Sequence, residues 1–383
     1  MGGGPEDHEH FTEHLLLTLP FPEPVDLLNS IRKKFPYIRV SYIGLANTFM
    51  TFSEEAENSG IYNDITILVT LACLPQSPEE CPKLKFIHFI SAGTNHVVTH
   101  PIYTDTNIPL TTSSGVHGPP IAEWVTMTSL AASHHYDVMY EWQKDHEWGQ
   151  HKYIQNHQVL TKGFDNVGQR IGILGYGSIG RQVARVCNAM GMTVVAYTAS
   201  PRETPSSKHD HGFIVPGTGD PDGSIPVAWF SGLSKPELHN FLSQHFDHLL
   251  IAVPLTDQTR HFLGDEEFRI LAKSSSGKQT KTGGCFLTNI SRGLILDQEA
   301  LIDALNRGPE KEGLRGAALD VTEPEPLPSD HPLWDTKNVI VTPHISALGV
   351  EYFERSIMVL EENMSLREKG EKMINVVNRR RGY

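Results

Sequence analysis

The sequence predicts an α/β protein of two domains built on doubly wound parallel sheets. Three observations predict it. Short β-like runs alternate with helical patterns along most of the chain. The 383 residues suffice for two hydrophobic cores. One compact strand runs straight into a glycine-rich turn that opens a helix and is followed by a second strand.

The early runs Leu15–Leu19, Arg39–Tyr42, Thr66–Val69, Phe86–Ile90 and Pro109–Thr111 predict one small parallel sheet. After Pro119-Pro120, Ile121, Val125 and Leu130 fall on one face and predict a long helix from Ile121 to about Trp142. Arg170–Leu174 is the strand before the glycine turn. The helix after it carries Ile179, Val183, Val186, Cys187 and Met190 on one face, stops at Gly191, and leads to the strand Met192–Tyr197. Further strands are expected at His248–Val253, Gly284–Asn289, Gly316–Leu319 and Asn338–Thr342. Between them Asp297 can cap a helix running through Leu305 to Gly308. The last helix, Val350–Leu366, repeats Phe353, Ile357, Leu360 and Met364 and is expected to return to the first domain. The expected domains are therefore 1–150 with 345–383, and 151–344. Ser200–Leu233 is rich in Pro, Gly, Ser and Asp and too long for an ordinary connection, so it reads as a surface excursion. No internal repeat is present.

Composition excludes several classes. Hydrophobic residues at 39% and charged residues at 20% describe an ordered globular chain. A net charge of -13 discourages binding to nucleic acid or an anionic membrane, because the far field repels both. No apolar run approaches the roughly 18 residues of a membrane helix. Met1 to His14 is polar and acidic, unlike a signal peptide. Glu6 stands where a myristoylation signal has Ser or Thr, and Arg381-Gly382-Tyr383 is no peroxisomal address. Cys73, Cys81, Cys187 and Cys285 lack paired spacing, so neither zinc nor a disulfide framework is expected and the cytoplasm is the simplest compartment. His8, His10 and His14 read as a solvated tail. His134-His135 and the pair His209, His211 do not converge on an ion either, so no metal is expected.

Gly175-Tyr176-Gly177-Ser178-Ile179-Gly180 is the Rossmann fingerprint, a weak signal alone and a stronger one in its strand–turn–helix setting. Gly175 permits the tight turn, Gly177 lets backbone approach a pyrophosphate, and Gly180 lets helix and strand pack closely. The amides at Ser178 and Ile179, on the helix N-terminus, would face the phosphates. An NAD site usually has an acidic residue at the end of the second strand. Here the position falls on neutral Thr198, with Ser200 and Arg202 just beyond. A 2′-phosphate would not be repelled and Arg202 could pair with it, so NADP is expected over NAD.

Three later strands end in chemical side chains. Thr288-Asn289-Ile290-Ser291-Arg292-Gly293 ends in an arginine. Leu319-Asp320-Val321-Thr322-Glu323-Pro324-Glu325-Pro326 ends in carboxylates, and Val341-Thr342-Pro343-His344-Ile345 in a histidine. Ends of parallel strands converge on the ligand crevice.

With the turn Ser91-Ala92-Gly93-Thr94, the stretch Gly115–Glu123 and Val253-Pro254-Leu255-Thr256, these motifs resemble, in order, those of the D-isomer-specific 2-hydroxyacid dehydrogenases, from about Phe86 to Leu360. Within the family the chain resembles the glyoxylate and hydroxypyruvate reductases. The resemblance implies a Rossmann cofactor domain, a smaller discontinuous flavodoxin-like substrate domain, and interconversion of a small 2-keto acid with its D-2-hydroxy acid. It implies that Arg292 grips the substrate carboxylate and polarises the keto oxygen. His344 would act as general acid or base, with Glu325 favouring its protonated form; Glu323 is the rival partner. Ala92, Gly93 and Thr94 would bind the carboxylate through their amides. Val253, Pro254, Asn289, Ile290, Asp320 and His344 would lie near the cofactor, with Asp320 orienting the carboxamide. It implies a homodimer through the cofactor domain and linking helix. Reductase activity is expected to fall, and oxidation to gain, as rising pH deprotonates His344. One of Trp124, Trp142 and Trp148 is a candidate to border the pocket.

Three features depart from the family: Thr198, the long excursion, and extra residues around Lys273–Gly283, read as a surface insertion. The alternative is a cofactor-sensing binding protein, as in the family's corepressor branch, which the intact Arg292, Glu325 and His344 set argues against. Formate dehydrogenase is disfavoured, because there Gln takes the place of the glutamate.

Overall fold

Alternation of strand and helix produces two separate parallel sheets. The computed structural model describes residues 11–45, 60–148, 163–275, 280 and 282–379. His8 and His10 lie outside these residues. Contacts divide the chain into Met1–Val116 with Val350–Tyr383 as one unit, and His117–Gly349 as the other.

In the first unit β1 (Glu13–Leu19), β2 (Ile38–Gly44), β3 (Ile67–Thr70), β4 (Phe86–Phe89) and β5 (Leu110–Thr112) pair in the order β2-β1-β3-β4-β5, every pair parallel. That is the flavodoxin order. Alternate side chains serve opposite faces. Leu15, Leu17 and Leu19 pack with Leu28 and Ile31 of α1 (Val25–Lys34) and with Ile357, Leu360 and Met364 of the C-terminal helix Tyr352–Glu368. Leu16 joins Leu68, Ile87 and Phe89 on the other face. The C-terminal helix is thus core to a unit begun some 340 residues earlier. His14, expected in a solvated tail, belongs to β1 and meets Ser41 Oγ at 2.9 Å.

The second unit holds β6 (Arg170–Leu174), β7 (Thr193–Thr198), β8 (Ala228–Ser231), β9 (His248–Ile251), β10 (Phe286–Asn289), β11 (Gly316–Leu319) and β12 (Val339–Val341). Their order is β12-β11-β10-β9-β6-β7-β8, again all parallel. The order reverses between β6 and β9, the switch point of a Rossmann sheet.

Several expectations are corrected. The linking helix is α2 (Gly118–Ser133), and it breaks at His135, whose φ of 52° is left-handed; a separate helix covers Tyr136–Lys144. α2 packs on α3 (Ser178–Ala189), the helix after the glycine turn, which is why the observed unit starts at His117 rather than near residue 151. The other boundary falls at Gly349, five residues past His344. The stretch after Ser200 is no excursion from a finished sheet. It is the crossover into β8, and a parallel neighbour requires a crossover of a dozen or more residues. At the insertion, Ser274, Ser275 and Thr282 are buried, and Thr282 donates to Asp247 at 2.8 and 2.9 Å, so its flanks are core. Asp297 caps Gln298–Arg307 by accepting from Ala300 N at 3.0 Å, and Gly308 ends that helix at φ 66°.

Burial pushes the imidazoles of His88 and His117 down to about 4 and that of His248 down to about 3, the last aided by the charge of Arg315. Unfolded, each titrates near 6.5. The unfolded chain then binds the extra protons, so this stability is present in full above about pH 6.5 and is lost as pH falls towards 4. The loss reaches about 1.4 kcal/mol per pH unit for each histidine. Urea midpoints at about pH 7.5 and 5 check it, and unchanged midpoints would contradict the burial of neutral rings.

Candidate active site

The glycine turn shows three glycines with three separate reasons. Gly175 sits at φ 108°, and a Cβ there would meet Ala252 O at 2.5 Å, across the switch point. At Gly180 a Cβ would lie 2.4 Å from Gly175 O and 2.9 Å from Ile173 Cγ2, so strand and helix could not approach as they do. At Gly177 a Cβ would meet nothing within 4 Å. That side is open among the described residues, and α3 begins there without a side-chain cap. Its first amides, at Ser178 and Ile179, have no intrahelical acceptor and carry the positive end of the helix dipole. The set fits a dinucleotide pyrophosphate.

At the end of β7, Thr198 Oγ1 donates to Ser200 O at 2.8 Å, Ser200 is exposed, and Arg202 Nη1 donates to Ser207 O at 2.7 Å. Arg202 Nε is buried with no partner among the described residues. Among the described residues no carboxylate bonds this strand end.

Beyond β10, β11 and β12 lies the chemical cluster. Asn289 Oδ1 accepts from Ser291 N at 3.0 Å and its Nδ2 donates to Arg292 O at 3.0 Å, folding the backbone so that Arg292 leaves the strand end in a fixed direction. Ser291 Oγ donates to Val253 O, tying this turn to the end of β9. The next loop is shaped by Thr259 Oγ1, which donates to Pro254 O at 2.7 Å, and Ile290 N donates to Ile251 O at 3.3 Å. Arg292 Nη1 donates to Ser291 O at 2.7 Å. Burial lowers the pKa of this guanidinium, and the negative charge of Glu325 opposes the effect.

His344 Nδ1 lies 2.6 Å from Glu325 Oε1. A carboxylate partner requires the proton on Nδ1 and leaves Nε2 for chemistry. Glu323 makes no such contact among the described residues; its amide and carbonyl bond the side chain of Gln298 at 3.0 and 2.6 Å. His344 sits at φ 56°, a left-handed conformation costing about 1–3 kcal/mol. Asp320 holds it there. The Asp320 carbonyl accepts from His344 N at 2.8 Å, Oδ1 accepts from Thr342 Oγ1 at 2.6 Å and Ile345 N at 2.9 Å, and Oδ2 from Ser346 N at 2.9 Å. The carboxylate expected near the nicotinamide thus also fixes the backbone on both sides of the histidine. Sequence reasoning did not assign that work. Thr342 and Ser346, hydrogen-bonding residues either side of Pro343-His344, were the available signal.

Ala92, Gly93 and Thr94 belong to the first unit. Their amides donate no hydrogen bond among the described residues, while Ser91 Oγ braces the turn by donating to Gly93 O at 2.8 Å. Thr94 Oγ1 is buried without a partner among the described residues. Tyr352 OH, from the C-terminal helix, donates to Ile90 O at 2.6 Å just before the turn. Trp124 is buried in the α2 packing, whereas Trp148 is exposed. No helix among the described residues is long and apolar enough to cross a membrane.

The chain matches the family model for the D-isomer specific 2-hydroxyacid dehydrogenase NAD binding domain over residues 126–215 and 227–346, more than half its length. The chain belongs to the D-isomer-specific 2-hydroxyacid dehydrogenases. It is an NAD(P)-dependent 2-hydroxyacid oxidoreductase. A glyoxylate reductase of Thermofilum pendens is 30% identical over 301 residues, covering 79% of this chain and 77% of the relative. Another, from Aeropyrum pernix, is 29% identical over 331 residues and 85% of each chain. Among solved structures, an NADPH-dependent glyoxylate/hydroxypyruvate reductase from Sinorhizobium meliloti, in complex with NADP and sulfate, shares the fold at a TM-score of 0.71. It has 24% identity, covering 97% of this chain and 100% of that one. In this dehydrogenase the glycine turn, Arg292, Glu325 and His344 all sit at the carboxyl ends of one sheet.

Substitution separates the glycine roles. Gly177→Val should keep thermal stability near that of the parent and weaken NADPH and NADH binding at least tenfold, about 1.4 kcal/mol. Gly180→Ala should lower the melting temperature itself. Calorimetry with and without dinucleotide measures both, and unimpaired binding by Gly177→Val would remove the pyrophosphate from this turn.

Proposed function

We propose that this dehydrogenase reduces a small 2-keto acid, of the size of glyoxylate or hydroxypyruvate, to the D-2-hydroxy acid, with NADPH favoured over NADH. The observation that carries the reading is the 2.6 Å His344–Glu325 pair on the same sheet edge as Arg292 and the glycine turn. Nearby relatives named glyoxylate reductase support the substrate size. A neutral Thr198 beside Arg202, and a structural neighbour described as NADPH-dependent, support the cofactor.

Gly175, Gly177 and the amides of Ser178 and Ile179 would hold a nicotinamide dinucleotide, which would supply the hydride for the keto carbon. The chain supplies everything else. Arg292, partly desolvated, offers paired N–H donors to the substrate carboxylate and draws charge onto the keto oxygen. Protonated His344 gives the Nε2 proton to that oxygen as the C–O bond becomes single, and Glu325 balances the imidazolium beforehand. Within the first unit, the amides of Ala92, Gly93 and Thr94, which donate no hydrogen bond among the described residues, form a cradle suited to an anion. Reduction consumes one proton, so it weakens as pH rises and oxidation gains.

The protein is further proposed to act as a homodimer. Met127 on α2, Tyr136, Met139 and Tyr140 on the next helix, and Trp148 beyond it leave large apolar surface exposed. Cytoplasmic residence fits four free, buried cysteines.

A screen of NADPH and NADH oxidation against glyoxylate, hydroxypyruvate, pyruvate and bulkier keto acids tests the reading. Turnover should be highest for the small acids and with NADPH. Tight dinucleotide binding without turnover on any acid would replace the enzyme with a cofactor-sensing protein. His344→Ala should lower kcat by about 10²–10⁴, and Arg292→Ala should lower kcat and raise the keto-acid KM together. Near-parental turnover by His344→Ala would refute its role.

A further inference from the structure

The family match breaks at residues 216–226, between its two matched segments. Those residues lie in the β7–β8 crossover, and they put a buried carboxylate on the glycine turn. Asp220 is 3% exposed. Its Oδ2 accepts from the hydroxyl of Tyr176 at 2.7 Å and from Ile225 N at 3.2 Å, and its Oδ1 from Ser224 N at 3.0 Å. Tyr176 is the residue between Gly175 and Gly177, so the crossover holds the middle of the phosphate turn by its side chain.

The same segment holds the first turns of α3. Arg181, 4% exposed, donates from Nη1 to Asp220 O at 2.5 Å and from Nη2 to Lys208 O at 2.6 Å. Its guanidinium lies 5.1 Å from the centre of the Tyr176 ring and its Nε is 3.6 Å from Asp210 Oδ2. Gln182 Oε1 accepts from Gly219 N at 2.6 Å, and Arg185 Nη1 donates to Gly219 O at 3.3 Å. Trp229 of β8 closes the far side, its ring 4.9 Å from that of Tyr176 at 73°. The crossover is itself tightly folded: a Cβ on Gly223, at φ 65°, would strike Lys208 O at 2.6 Å. Asp220 and Arg181 are both buried and hydrogen-bonded, so removing a partner of either leaves a buried polar group unsatisfied, and the network tolerates few alternative arrangements.

We propose that residues 216–226 form a clamp that preorganises the cofactor turn, with Asp220 and Tyr176 as positioning residues for the dinucleotide pyrophosphate. The clamp rests on the dinucleotide reading of the turn. A loose glycine turn loses freedom when its ligand binds; a turn already gripped through Tyr176 and Arg181 loses less, and affinity rises accordingly. Linkage is reciprocal: whatever the clamp adds to cofactor affinity, the cofactor returns as stability of the clamp.

Calorimetric titration of the full chain with NADPH and with NADH provides the test, in the parent, Tyr176→Phe, Asp220→Asn and Gln182→Ala. Tyr176→Phe keeps the ring and removes only the hydroxyl. It should raise the dinucleotide Kd about tenfold, with the dinucleotide KM rising by more than kcat falls and the keto-acid KM moving less than twofold. Asp220→Asn added to Tyr176→Phe should cost less than the two single effects combined. NADPH should also slow amide exchange across residues 216–226 in the parent, a measurement that holds whether or not Asp220→Asn folds. A purely structural network would lower the melting temperature of folded Tyr176→Phe and Gln182→Ala while leaving Kd and amide exchange unmoved, and that result overturns the clamp alone. A parent chain that binds neither dinucleotide overturns the cofactor reading and the clamp with it.

Discussion

Every strand pair in both sheets is parallel, and each of the other features depends on that constraint. A parallel strand must be reached by a crossover, so each strand of a sheet delivers its carboxyl end to the same edge. Gly175, Val253, Arg292, Asp320 and His344 come from five strands of the second sheet and share that edge without being neighbours in sequence. The reversal of order between β6 and β9 opens the edge where Gly175 meets Ala252.

Convergence alone does not orient a side chain. The histidine is aimed by Asp320, whose carboxylate and carbonyl fasten Thr342, His344, Ile345 and Ser346 around a left-handed backbone. The arginine is aimed by Asn289 and Ser291 in the same manner. In each case a short, buried polar residue at a strand end fixes the direction of a long charged or ionisable one. The direction of each long side chain is thus set by residues behind it rather than by the side chain itself.

Much of this was legible in the chain. β6 and β11 lie where their apolar runs place them, and the Asp297 and Gly308 helix signals fall where the chemistry of caps requires. Spacing alone leaves Glu323 and Glu325 as rivals; the family resemblance favours Glu325, and Glu325 makes the contact with His344. What was hidden depended on long-range partners. β8 is four residues, Ala228–Ser231, with no alternation to betray it, and it is a strand because β7 offers it an edge. The break in the linking helix needed the left-handed His135, which no glycine announced. The grip of Asp220 on Tyr176 joins residues 44 apart in sequence and has no local signature.

The C-terminal helix supplies Ile357, Leu360 and Met364 to the core of the first unit, and its Tyr352 reaches the end of β4 beside Ser91–Thr94. A chain made from its amino terminus therefore emerges with β1 to β5 lacking one wall of their core. His117–Gly349, whose segments are contiguous, can complete its sheet while the first unit still waits. Domains generally fold as units as they leave the ribosome. The unit begun first is therefore the last that can be completed, because part of its core lies in Tyr352–Glu368.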